Sequence, residues 1–231
     1  DKLFVFARQE GTEIARALDA GTGKELWQEK YDTQGATGPA ARHSGPRSTP
    51  TVADGKVITL GVRGVLSCLN AATGAKLWRK DDRATAWPRF FTSSSPIVVD
   101  GLCIAQLGGQ DNGAIIAYEL ATGNEKWKVA GDIPGYASPI LVTVAGTKLI
   151  VTQTDKKIVA VGAADGKLHW EAPFAPQGMG YNASTSLVDG QTVIYAGQGR
   201  GIKAVKFEKQ GVTISAKELW SNSENSPQFN S

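Results

Sequence analysis

Five segments of this chain are variants of one sequence, and that self-similarity limits the possible folds more than any other feature. Four copies are clear: Leu18-Asp19-Ala20-Gly21-Thr22-Gly23-Lys24-Glu25-Leu26-Trp27, Leu69-Asn70-Ala71-Ala72-Thr73-Gly74-Ala75-Lys76-Leu77-Trp78, Glu119-Leu120-Ala121-Thr122-Gly123-Asn124-Glu125-Lys126-Trp127 and Gly162-Ala163-Ala164-Asp165-Gly166-Lys167-Leu168-His169-Trp170. A looser fifth ends at Lys217-Glu218-Leu219-Trp220. The closing tryptophans stand 51, 49, 43 and 50 residues apart, a period that suits the blades of a β-propeller.

Within each period the order of signals is constant. A Ser-Pro or Thr-Pro opening leads into a β-branched run, an Asp-Gly turn, a second apolar run, a polar turn, and an alternating strand that ends in Thr-Gly and Trp. In the third copy this predicts strands over Pro96–Val99, Leu102–Leu107, Ala114–Leu120 and Glu125–Val129, each bounded by turn residues. The prolines Pro50, Pro96 and Pro139 stand at strand starts, where a missing N–H costs little, and Thr185 takes that place in the fourth repeat. The 27 glycines fit a chain of many tight turns, and 41% hydrophobic with 20% charged residues fits a globular all-β protein. Expected blades cover residues 1–30, 48–81, 94–130, 137–173 and 183–221 of a single propeller domain or segment, with a further strand starting over 226–231.

A recurrent Trp at the end of a four-stranded sheet has a structural reason. One such sheet exposes two faces and must stack on its neighbour, and an indole buries a large area while its N–H reaches a backbone acceptor. At roughly 25 cal/mol per Å2, most of an indole contributes a few kcal/mol. Trp27, Trp78, Trp127, Trp170 and Trp220 are therefore read as docking residues between blades.

The Ala/Asp-x-x-Thr-Gly-x-x-x-Trp signature resembles the pyrroloquinoline-quinone (PQQ)-like repeats of quinoprotein dehydrogenases and of the lipoprotein scaffold that serves outer-membrane barrel assembly. The resemblance covers nearly the whole chain and implies a propeller, an extracytoplasmic, periplasmic setting and one of two functions. It also implies a ring of seven or eight blades, of which this chain would hold about five. The first repeat lacks its Pro-initiated strand, and Lys2-Leu3-Phe4-Val5-Phe6 already reads as a strand, so the chain is expected to be an internal piece of that ring. A closed five-bladed ring completed by the C-terminal residues is the competing expectation.

Composition narrows the partners. The 25 basic and 22 acidic residues are dispersed, with no basic run of the kind that tracks a phosphate backbone, which argues against nucleic acid. No apolar stretch approaches the roughly 20 residues of a transmembrane helix. Cys68 and Cys103 each lie in an apolar run and read as buried free thiols.

In an up-and-down blade, the connections from second to third strand and from fourth strand to the next blade emerge on one face. That face carries the long segments 31–48 and 80–94, and function favours loops held by a rigid scaffold. Its candidate ligand or partner residues are Arg42, His43, Arg47, Arg63, Trp87, Arg89, Gln110, Asp111, Asn112, Asp155, Lys156 and Arg200. Guanidinium forks suit carboxylates and phosphates, and Trp87 is the one tryptophan outside the docking position. The opposite face is turn chemistry, as at Asp54-Gly55, Asp100-Gly101 and Asp189-Gly190.

A quinoprotein resemblance implies a calcium ion held by carboxylate and amide oxygens, a general-base aspartate, an aromatic floor for PQQ and, in many alcohol-oxidising members, adjacent cysteines. Here Cys68 and Cys103 are far apart, Asp111-Asn112 is a generic oxygen pair, and no nucleophile or orienting carboxylate accompanies His43. The expected function is thus a non-catalytic scaffold that binds a protein or other polar partner, with no cofactor, no catalytic residue and no metal site. The alternative is part of a PQQ- and calcium-dependent dehydrogenase oxidising an alcohol or sugar.

Overall fold

In the computed structural model, which describes residues 1–229, nineteen strands form five antiparallel sheets in chain order. The first sheet has three strands, β1 (Lys2–Gln9), β2 (Thr12–Asp19) and β3 (Glu25–Asp32). The second is β4 (Thr51–Ala53), β5 (Lys56–Leu60), β6 (Leu66–Asn70) and β7 (Lys76–Lys80), and the third β8 (Ile97–Val99), β9 (Leu102–Leu107), β10 (Ala114–Glu119) and β11 (Glu125–Ala130). The fourth is β12 (Ile140–Val144), β13 (Thr147–Gln153), β14 (Lys157–Gly162) and β15 (Leu168–Pro173). The fifth is β16 (Leu187–Asp189), β17 (Thr192–Gly197), β18 (Gly201–Gln210) and β19 (Thr213–Asn222). Each sheet is an up-and-down meander, and the first strands of successive sheets lie side by side, β4 against β8 and β12 against β16. The first sheet lacks the Pro-initiated inner strand, as its sequence implies.

Sheets stack on one another through both faces, which explains why the middle strands read as continuous apolar runs. In β9, Cys103, Ala105 and Leu107 pack toward the second sheet with Ile58, Leu60, Leu66 and Trp78, while Ile104 packs the other way with Ile150 and Val161 of the fourth. Val142, Val151 and Ile158 meet Val193, Val205 and Phe207 between the fourth and fifth sheets.

The repeated motif is the joint of this stack. In every sheet the register slips beside the Trp, between Ala17/Leu18, Cys68/Leu69, Ala117/Tyr118, Ala160/Val161 and Ala204/Val205. The residue opposite each indole is small and fully buried: Ala17, Cys68, Ala117, Ala160 and Ala204. A bulge bends its strand and re-aims a side chain, here the indole, toward the following sheet. The Nε1–H groups of Trp27, Trp78 and Trp127 donate to the carbonyls of Ala71 (3.2 Å), Leu120 (3.0 Å) and Ala163 (3.0 Å) in the next repeat's turn. That turn must bring its backbone against a flat ring, and a Cβ at Gly123 would stand 2.8 Å from the Trp78 indole. Trp170 instead meets Phe207 edge-on at 5.4 Å, and Trp220 is 46% exposed.

Turn chemistry holds the acceptor in place. The Asp19 Oδ1 accepts from the Gly21 N–H, the Thr22 N–H and the Thr22 hydroxyl, and the Asn70 Oδ1 accepts from the Ala72 and Thr73 N–H groups. Asp54-Gly55, with φ of 48° and 69°, is the double left-handed turn that a two-residue hairpin requires. On the loop side, buried glutamines tie each sheet to the segment that opens the next: Gln106 Nε2 donates to Ala137 O (3.0 Å) and Gln153 Nε2 to Ser184 O (2.9 Å).

The further strand expected over 226–231 is not formed by its described residues. Ser226–Phe229 make no ladder, and are held instead by the Ser226 hydroxyl on Gly197 O (2.9 Å) and the Ser184 hydroxyl on Pro227 O (3.3 Å). A strand needs a ladder partner, and no described strand pairs with these residues; residues 230 and 231 lie outside the described part.

The joint makes a direct prediction. Trp78→Ala is expected to cost about 3–5 kcal/mol in chemical denaturation, and Gly123→Ala to be destabilising although it removes no contact. Trp220→Ala should cost less than half as much as Trp78→Ala.

Candidate functional site

The four segments that lead from one sheet to the next converge on a cavity of about 450 Å3. Its inner side is the row of residues that open the repeats, Thr49, Ser95, Ser138 and Thr185. These are linked blade to blade: the Thr49 N–H donates to Ser95 Oγ (2.8 Å), the Ser95 N–H to Ser138 Oγ (2.9 Å) and the Ser138 N–H to Thr185 Oγ1 (3.2 Å). The position therefore selects Ser or Thr because its hydroxyl satisfies a backbone donor left free where the inner strands have not yet begun.

One wall of the cavity is aromatic. Tyr181 meets Phe90 and Tyr136 edge-on, at 5.3 and 5.6 Å between ring centres, and Phe229 lies 5.9 Å from it. The Phe90 N–H donates to the Tyr136 hydroxyl (3.0 Å), and burial pushes the Tyr136 phenol above its usual range. Gln228 Nε2 donates to the Tyr181 hydroxyl (2.7 Å). Behind this wall a second cavity of about 430 Å3 shares Phe90, Tyr136 and Tyr181 and adds Trp87, Arg89, Gln110 and Asp155.

Part of the rim is basic. A short 3-10 helix, Gly38–His43, brings Arg42 and His43 to the first cavity, both exposed. Arg47 lines it too, but its guanidinium is occupied: Nη1 donates to Phe90 O (2.8 Å), and Nη2 to His43 O (2.7 Å) and Ala40 O (3.2 Å). It fastens the 31–48 segment to the 80–94 segment, and its partial burial lowers its pKa from the ordinary arginine value.

The remaining sequence candidates divide between the second cavity and loop-fastening roles. Arg63 lies 4.3 Å over the Trp87 ring and donates to Gly35 O (3.2 Å), while Trp87 stacks on Phe91 at 5.2 Å beside Ala36, Ala40 and Val62. The pair packs the two long loops together. Arg200 lies over Phe174 and donates to Phe174 O (2.5 Å) and Asn182 Oδ1 (2.6 Å), so it holds the segment before the fifth sheet. Asn112 closes its own turn, its Oδ1 accepting from the Gly109 N–H (2.8 Å), and Asp111 and Lys156 are exposed. Arg89 is exposed over Phe90 at 5.2 Å. Asp155 is half-buried; burial first, and the Asp132 charge second, push its carboxyl up.

The aromatic wall and the hydroxyl row escaped the sequence reading. A signal exists: Phe90, Tyr136 and Tyr181 each stand a few residues ahead of a repeat opening, at Ser95-Pro96, Ser138-Pro139 and Thr185-Ser186. Their different offsets hide them as a repeat, since the loops between are of unequal length.

Sheet number, repeat and docking geometry define a β-propeller of the PQQ-like class. A family model described as outer membrane protein assembly factor BamB matches residues 11–230, and the chain belongs to this PQQ-like propeller family, which is related to quinoprotein dehydrogenases. Over 128 residues it is 33% identical to the quinohemoprotein alcohol dehydrogenase ADH-IIG of Pseudomonas putida, covering 52% of this chain and 17% of that protein. Over 124 residues it is 30% identical to the assembly factor BamB of Xanthomonas campestris pv. campestris, covering 52% of this chain and 28% of that protein. Among solved structures, BamB from Moraxella catarrhalis superposes with a TM-score of 0.63 at 18% identity over 99% of this chain and 63% of that one. A europium-containing methanol dehydrogenase gives 0.65 at 15% identity over 94% and 49%. These structural likenesses speak to fold alone.

The lining of the first cavity does not furnish a calcium-held quinone site. Calcium takes six to eight oxygen ligands, carboxylates among them; the first cavity is lined by no Asp or Glu, and no group of three or more His, Cys, Asp or Glu with metal-binding spacing occurs among the described residues. Both cysteines are free and buried in the joint between the second and third sheets, where burial pushes the Cys68 thiol up to about 11 and Cys103 higher. No helix among the described residues is long and apolar enough to cross a membrane.

Because Arg47 bonds three carbonyls in two loops, Arg47→Ala should lower stability by about 2 kcal/mol and expose the 31–48 segment to limited proteolysis. Arg47→Lys should rescue little, since an ammonium cannot span that fork.

Proposed function

We propose that this chain is a non-catalytic propeller scaffold whose loop-rich face binds a protein partner outside the cytoplasm. The observation that supports this reading is the make-up of the first cavity and its rim. Aromatic and hydroxyl groups with an exposed Arg42 line the first cavity, and no carboxylate stands beside His43 there to orient it as a base. The family match to the assembly factor supports the same reading and the extracytoplasmic setting, and the likeness to longer propellers supports an arc of a seven- or eight-bladed ring. The chain spans 17% and 28% of the curated relatives described above, so the activity of either whole protein is transferred only as part of this proposal.

The second reading, part of a PQQ- and calcium-dependent dehydrogenase acting on an alcohol or sugar, is favoured by the 33% identity to the quinohemoprotein enzyme. In that case the calcium ligands and the general base would come from outside the residues described.

Photo-crosslinking amino acids placed at Arg42 and Arg89, and at Asp54 and Lys126 on the opposite face, test the first reading in cells. Adducts to one defined protein from the loop-face positions only are expected; equal labelling from both faces contradicts the proposal. Calorimetric titration with PQQ in calcium buffer tests the second: no saturable binding is expected, and micromolar binding abolished by a chelator transfers the assignment to the dehydrogenase.

A further inference from the structure

The first cavity has a chemistry more specific than a general contact surface. Of the side chains lining it, none is acidic, two are arginines and one is a histidine. Arg47 is held by three carbonyls, whereas the Arg42 guanidinium makes no hydrogen bond or ion pair among the described residues and is exposed at the rim.

The hydroxyl row adds directed donors. Ser95 Oγ and Ser138 Oγ each accept a backbone N–H from the preceding repeat, and neither hydroxyl donates to a protein acceptor. A hydroxyl has one proton to give; with the oxygen already engaged, that proton is left for whatever occupies the cavity. The rest of the lining is largely aromatic: Tyr181 meets Phe90 and Tyr136 edge-on, and the 64% exposed Phe229 lies tilted against Tyr181.

We infer that this cavity captures the C-terminal carboxylate of a partner polypeptide that ends in a large apolar residue. Two features favour a chain end over other anions. Free donors and aromatic rings line one space of only about 450 Å3, so the charged and apolar groups of the occupant must be close neighbours. At a chain terminus the carboxylate and the side chain share one carbon atom, whereas an internal Asp or Glu brings main chain running out in both directions and no apolar group on the same carbon. Capture of a terminal carboxylate by converging donors is an established peptide-recognition mode, and the charge assistance of a guanidinium makes such bonds about twice as strong as neutral ones. The inference deepens the scaffold reading and rests on it for the identity of the occupant as a protein.

The test uses the full chain and two small probes, N-acetyl-phenylalanine and N-acetyl-phenylalaninamide, which differ only in the terminal charge. Binding is followed by amide chemical shifts of Ser95, Ser138 and Tyr181. The acid is expected to bind about ten-fold more tightly than the amide, with shifts confined to the cavity. Arg42→Gln should remove most of that difference while leaving the weak amide binding unchanged, and rising salt should weaken the acid alone. Equal affinity for acid and amide overturns the inference, as does the absence of shifts with either probe up to about 10 mM, weaker than the range of useful recognition. Inorganic phosphate displacing the acid at equal concentration would also overturn it, in favour of a simple anion site. None of these outcomes depends on a protein partner, so a failed probe experiment leaves the crosslinking result standing, and a failed crosslinking experiment leaves the cavity's chemistry to be judged by the probes.

Discussion

An indole laid flat against the backbone of the next repeat's turn is the contact on which the rest of this molecule depends. Each sheet is too thin to bury its own faces, and its stability comes from the sheet that follows. The joint needs four things at once: a Trp, a small residue opposite it, a bulge that turns it outward, and a turn with a bare glycine and a free carbonyl. Trp78, Cys68, the Cys68/Leu69 slip and the Leu120–Gly123 turn meet all four conditions. This also accounts for Cys68, which occupies the position that Ala holds in the other sheets.

The same stacking builds the site. Because the sheets are fixed side by side, their opening residues come into one row, and Ser95, Ser138 and Thr185 each accept the N–H of the residue before them in that row. The loops that precede the row must then converge above it. Arg47, Arg63 and Arg200 spend their guanidinium groups on loop carbonyls and aromatic rings, which leaves Arg42 at the cavity rim and Arg89 beside the aromatic wall as exposed charges. A basic residue on a loop is thus as often a fastener as a contact, and the two roles separate only when the carbonyl acceptors are known.

This difference marks what was legible from residues alone. Blade count, strand order and the third-repeat strands could be read because they follow from local signals: period-two alternation, Asp-Gly and Thr-Gly turns, and the Trp spacing. That the long connections share one face was legible for the same reason, since meander topology sends them one way. The aromatic wall was not, because Phe90, Tyr136 and Tyr181 lie in three loops of different length and meet only through the stacking of three sheets. Trp87, set apart in the sequence because it stands outside the repeat, packs against Arg63 and Phe91 and also borders the second cavity.

Hydrogen exchange of the tryptophan indole N–H groups tests the central claim most directly. Trp78 and Trp127, 7% and 8% exposed and bonded to Leu120 O and Ala163 O, should exchange only through global opening, while the 46% exposed Trp220 should exchange nearly as fast as free indole. Equal, fast exchange at all three would show that the indole joints do not hold the blades together.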